Sequence, residues 1–127
     1  MTQTTELPRL YKHINQNGIT YGPKKLALMR QACCLMEVPL IQDNVNTEGE
    51  TISRLLRVKL FDPCSSWTWY IQEWDGEDYC YVWAEGLEKE WGYLTLTALS
   101  EIPGPLGIGI EIDTHFTPIE HNQLTTA

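Results

Sequence analysis

Three side chains near the C-terminal end could do chemistry together. In GIEIDTHF, residues 109–116, Glu111, Asp113 and His115 stand two apart. An extended backbone puts them on one face and Ile110, Ile112 and Thr114 on the other. Two carboxylates and an imidazole suit a divalent cation or a shared proton. Same-face residues of a strand lie roughly 7 Å apart, so convergence on one ion needs a bend. The row therefore reads first as an exposed polar face and second as a small metal-dependent centre. Cys64-Ser65-Ser66 supplies nucleophiles, but no histidine stands at an interpretable distance and no nucleophile elbow surrounds them. A turn after Pro63 is the simpler account. Lys24, Lys25 and Arg30 could meet phosphate or an acidic partner, or could simply face solvent.

Four cysteines, Cys33, Cys34, Cys64 and Cys80, form no Cys-x-x-Cys pair and no zinc-type spacing with histidine. Small buried thiols in a reducing compartment are the expectation, and no cofactor is expected. The N-terminal residues show no basic segment followed by an apolar core, and no apolar run approaches the roughly 20 residues that cross a bilayer. The expected location is the cytoplasm.

The net charge of -8 conceals an asymmetry. Residues 1–61 carry eight Lys and Arg against five Asp and Glu, whereas residues 62–127 carry one base, Lys89, against twelve acids. Such a half repels phosphate backbones and attracts basic protein surfaces, although a solvated acidic face that aids solubility is equally open. The acidic and aromatic candidates for a partner surface are Glu73, Asp75, Glu77, Asp78, Glu85, Glu88, Glu90 and Trp91. The aromatic series from Trp67 to Tyr93 could stack bases, yet it lacks an interleaved cationic groove. Packing against a helix and against one another is the favoured reading of these rings.

The elements that would position these residues change type near residue 54. A short helix is expected around residues 10–15, stopped by Asn17-Gly18. The stretch GPKKLALMRQACCLMEV predicts a helix from Pro23 with Leu26, Met29, Cys33 and Met36 on its apolar stripe. Residues 42–50 read as a loop. LLRVKLF predicts a strand with Leu56, Val58 and Leu60 on one face, and WTWYIQEW-Asp75-Gly76-EDYCYVWAE predicts a tight hairpin. A third meander strand beginning at Trp91 follows the connection GLEKE, residues 86–90, then one helical turn capped by Thr97, a turn at PGPLG, and a last strand in GIEIDTHF. The expected architecture is α+β. An antiparallel meander sheet of four to five strands carries one main N-terminal helix on one face. The whole forms one domain in three parts: residues 1–53 as helical segment and loop, 54–118 as β-rich core, and 119–127 as a flexible tail.

VKLFDP, WTWYIQEW, GLEKEWGYLTLTAL, IPGPLGIGIEID and HFTP occur in an order and spacing that resembles domain-of-unknown-function family 2958, over residues 58–118. LPRLY, residues 7–11, resembles that family's usual beginning. Between residues 11 and 57 the chain is longer than the resemblance implies, which marks that part as an elaboration. Family members are small proteins common on bacterial plasmids, integrative elements and phages, with no established activity. Where they often carry an Arg between the Glu and Asp of the final strand, this chain has Ile112. The resemblance implies a role in element maintenance or in countering host defence.

Together these readings favour a non-enzymatic, acidic interaction protein that binds a basic surface of nucleic-acid-handling machinery, an anti-CRISPR or anti-restriction inhibitor being one form. The alternatives are a metal-dependent enzyme built on Glu111, Asp113 and His115, and a nucleic-acid accessory protein that binds through Lys24, Lys25 and Arg30.

Overall fold

The computed structural model describes residues 21–126. The helix expected near residues 10–15 and the LPRLY stretch lie outside them. Helix α1 spans Pro23–Leu35 and is followed by a 3-10 turn, Ile41–Asp43. Then come β1 (Leu55–Leu56), β2 (Val58–Phe61), β3 (Thr68–Trp74), β4 (Tyr79–Glu85) and β5 (Lys89–Thr95). The chain closes with α2 (Leu96–Ser100), β6 (Glu111–Ile112), β7 (Ile119–Glu120) and α3 (His121–Thr126).

The protein is α+β, as its sequence predicts. Strands β2 to β5 form an antiparallel meander and β6 returns to the far edge, giving a five-stranded sheet in the order β5-β4-β3-β2-β6. Its inner face carries Val58, Leu60, Ile71, Trp74, Cys80 and Val82 against Leu28, Met29, Ala32, Cys33 and Met36 of the α1 region. Each fully buried aliphatic side chain of this layer contributes on the order of 1.5 to 3 kcal/mol. Pro23 opens α1, where its missing N–H costs no helical bond. The helix closes at Glu37, a non-glycine residue with φ 56°, as the amides of Met36, Glu37 and Val38 return to the carbonyls of Ala32, Cys34 and Cys33.

Four local expectations are corrected. Leu56 does not share a face with Val58 and Leu60. The strand breaks at Arg57, β1 peels away to pair with β7, and Leu56 joins Tyr70 and Trp83 in a second cluster on the outer face. The segment expected as a flexible tail carries β7 and α3; Leu56 pairs with Ile119, and Phe116, Ile119 and Leu124 pack on the outer-face cluster. A partner that distant in sequence leaves no local pattern. The last strand is only Glu111–Ile112, because residues 113–116 turn, the Phe116 amide bonding to the Asp113 carbonyl. Helix α2 is capped by Thr95, whose hydroxyl accepts from the Ala98 amide, while Thr97 bonds to Asp78.

The strained helix end predicts a gain on substitution. A left-handed residue with a Cβ costs roughly 1 to 2 kcal/mol, and glycine removes that cost. Glu37→Gly is expected to raise stability by about 1 kcal/mol, read as a higher urea midpoint with an unchanged slope.

Candidate functional site

Asp75 and Gly76 make the β3–β4 turn. Gly76 takes φ 94°, a conformation that suits glycine. Asp75 Oδ1 accepts the backbone N–H groups of Glu77, Asp78 and Tyr79 at 2.8, 2.7 and 3.1 Å. These bonds hold its carboxyl below the usual value. Asp78 Oδ1 accepts the amide and the hydroxyl of Thr97 at 2.7 and 2.9 Å, which ties the hairpin to α2. Glu85 Oε2 accepts the Trp83 indole N–H at 2.9 Å. Glu73 is buried and accepts amide N–H bonds from Asn44 and Gln72. Four of the acidic candidates are thus engaged within the fold.

Glu77, Glu88 and Glu90 are the others. All three are exposed, and among the described residues their carboxylates take no internal partner. They lie in two places. Glu77 sits at the β3–β4 turn, and Glu88 and Glu90 at the β4–β5 end beside Leu87, which is 95% exposed. Strand β4 separates these ends with seven residues, roughly 20 Å at strand rise.

Aromatic rings line the outer face of β4 and β5. Tyr79 stacks on Tyr93 with centroids 5.0 Å apart, and Tyr81 stacks on Trp91 at 5.2 Å. Trp91 also meets Trp83 and His121, and the Arg54 guanidinium lies 4.7 Å from its ring centre. Trp91 is therefore half-buried and belongs to the outer-face cluster with Phe116, Ile119 and Leu124. The other end of the ladder is open: Tyr79 and Tyr93 remain 45% and 55% exposed. Alternation along β4 and β5 placed these rings on one face, but which part of it the C-terminal segment covers had no signal in the local pattern.

The chemistry-bearing row at the C-terminal end is dispersed. Glu111 Oε2 meets the buried Lys25 ammonium at 3.1 Å, and Asp113 Oδ2 meets Lys59 at 3.5 Å. Asp113 Oδ1 accepts the His115 amide. Glu111, Asp113 and His115 line a shallow groove of about 310 Å³ with Lys59 and Phe61. Among the described residues no three His, Cys, Asp or Glu are placed to hold a metal ion. The cationic trio is also dispersed, with Lys24 exposed, Lys25 buried and Arg30 donating to the Glu77 carbonyl at 2.8 Å. Burial raises the Cys33 thiol and pushes Cys80 up to about 12, so both stay protonated and unreactive. Cys64 sits in the turn after Pro63, its amide bonded to Asp62.

The family model described as "Protein of unknown function (DUF2958)" matches residues 35–125. The chain belongs to that family. No curated protein and no solved structure matches it. The DUF2958 match begins at residue 35 and so takes in residues 35–57, which the sequence reading assigned to an elaboration. It also takes in β7 and most of α3, the segment that roofs the Trp83–Trp91 end of the outer face. In this DUF2958 protein the described residues leave the Tyr79, Tyr81 and Tyr93 part of the outer face outside that roof.

His121, wedged 4.3 Å from Trp83 and 4.6 Å from Trp91, gives this roof a pH dependence. Burial lowers its pKa below the ordinary 6.5, Arg54 adds to the shift, and Glu85 opposes it. The folded state favours neutral imidazole. That contribution is fully present above the unfolded value and is lost as pH falls through the folded one. NMR titration is expected to place the His121 midpoint below that of an unstructured histidine. The urea midpoint is expected to fall between pH 7.5 and 5.5, and the drop to shrink in His121→Leu.

Proposed function

We propose that this DUF2958 protein is a non-enzymatic binding protein that docks its exposed carboxylates on a basic surface of a nucleic-acid-handling protein. The observation that carries the reading is an asymmetry in how charge is spent. Lys25 and Lys59 pair with Glu111 and Asp113. Arg30 and Arg57 donate to the carbonyls of Glu77 and Met36, and Arg54 donates to Gln72 while covering Trp91. These five cations are engaged within the fold and leave Lys24 and Lys89 exposed, while the carboxylates of Glu77, Glu88 and Glu90 are presented to solvent. A surface of that kind repels phosphate and steers toward cationic grooves, where carboxylates can stand in for a nucleic-acid backbone. The mobile-element setting that the family resemblance implies suits an inhibitor of host defence, of the anti-CRISPR or anti-restriction kind, acting in the cytoplasm.

The test is affinity capture from host lysate treated with nuclease, followed by binding measurements on the recovered partner at two salt concentrations. A nucleic-acid-binding protein is expected to be retained. Its affinity should fall roughly tenfold when Glu77, Glu88 and Glu90 are all changed to Gln, with the difference narrowing at high salt. Equal affinity of the neutralised variant at low salt would sink the reading.

A further inference from the structure

One carboxylate of the outer face, Glu73, takes no ion pair among the described residues. Strand β3 shifts register between Ile71 and Glu73, so Ile71 faces Val82 while Glu73 faces Tyr81. This bulge sets Gln72 aside as the extra residue and turns Glu73 onto the aromatic face. Glu73 is only 7% exposed. Its Oε2 accepts N–H bonds from the neutral amides of Asn44 and Gln72. Among the described residues the ion pairs engage Glu111 and Asp113, not Glu73. Arg54, on the same face, spends its guanidinium on Gln72 Oε1 at 3.3 Å and on the Trp91 ring. A nearly buried carboxylate held by neutral donors alone is costly unless a cation completes it.

Beside it stands the open part of the ladder. Tyr81 faces Glu73 across one side of β4 and Tyr93 across the other. The Tyr81 and Tyr93 centroids lie 4.7 Å apart with planes tilted by 49°, and Tyr79 stacks on Tyr93. Burial and then the charge of Glu73 raise the Tyr93 hydroxyl, so the carboxylate's field reaches that ring. An aromatic ring face carries a negative quadrupole, and beside a carboxylate it favours a cation.

We propose that Tyr79, Tyr81 and Tyr93, with Glu73 at their base, receive one arginine side chain from a basic protein segment. The proposal rests on the reading above that the partner presents a basic surface, and it names the group that enters. A guanidinium is planar and weakly hydrated, and it stacks on aromatic rings while donating N–H bonds to a carboxylate. The same face already seats one, Arg54 over Trp91 at 4.7 Å. An ammonium is compact and strongly hydrated, and it fits a stacked platform less well. A phosphate is repelled by Glu73 and by the net charge of -8.

The full chain, isotope-labelled, would be titrated by NMR with the capped peptide Gly-Arg-Gly-Arg-Gly and with its lysine counterpart. The expected result is ring-proton shifts at Tyr79, Tyr81 and Tyr93 and tighter binding of the arginine peptide. Affinity should fall roughly fivefold or more in Tyr93→Leu and be retained in Tyr93→Phe. Glu73→Gln should weaken binding similarly; if that variant misfolds, the exposed Tyr93 substitutions decide alone. Unchanged affinity in Tyr93→Leu, shifts confined to other surfaces, equal binding of the lysine peptide, or no binding would each overturn the receptor. If affinity falls on neutralising Glu77, Glu88 and Glu90 but not in Tyr93→Leu, the acidic-docking reading stands and the arginine receptor does not.

Discussion

A sheet that is apolar on both faces needs two covers, and the described residues supply one long helix. Helix α1 shields the inner face, where Leu28, Met29, Ala32 and Cys33 meet Val58, Leu60, Ile71 and Val82. The outer face carries tyrosine and tryptophan instead of aliphatic residues. Aromatic rings suit a half-wet surface, since each combines a large apolar body with a polar tip. The C-terminal segment roofs the Trp83 and Trp91 end through Phe116, Ile119 and Leu124, while Tyr79 and Tyr93 stay exposed.

The bulge at Gln72 is where the two faces are negotiated. Strict alternation from Trp69 would send Glu73 into the inner core and Trp74 outward. One extra residue reverses both. Trp74 enters the core, donates its indole N–H to the Val38 carbonyl at 3.1 Å and lies against the segment that follows α1. Glu73 moves to the outer face among Asn44, Gln72 and Tyr81. A tryptophan gained by the core is worth several kilocalories per mole of burial, on the order of 3, which offsets the cost of holding a carboxylate nearly out of water on neutral amides.

Electrostatics divides along the same lines. Acidic residues at the turns act as local acceptors, Asp75 for its own hairpin and Asp78 for Thr97 at the start of α2. Such carboxylates look identical in composition to Glu88 and Glu90, but one oxygen of each already accepts N–H or O–H groups of the fold. The acidic surface open to a partner is therefore smaller than the charge count suggests, and it is split between the two ends of β4.

Local signals carried much of this fold. The 3.6-residue stripe of α1, the Asp75-Gly76 turn, the alternation of Tyr79, Tyr81 and Trp83, and the block pattern of the DUF2958 family are all written within short windows. Each depends on backbone geometry and on neighbours a few residues away, so sequence by itself determined them. The pairing of Leu56 with Ile119, the roof over Trp91, the Lys25–Glu111 pair and the bulge that exchanges Glu73 for Trp74 join residues far apart in the chain or depend on strand register. Only the tertiary structure decided these. A side chain's partner there is set by which surfaces compete for burial, and that competition is resolved over the whole chain at once.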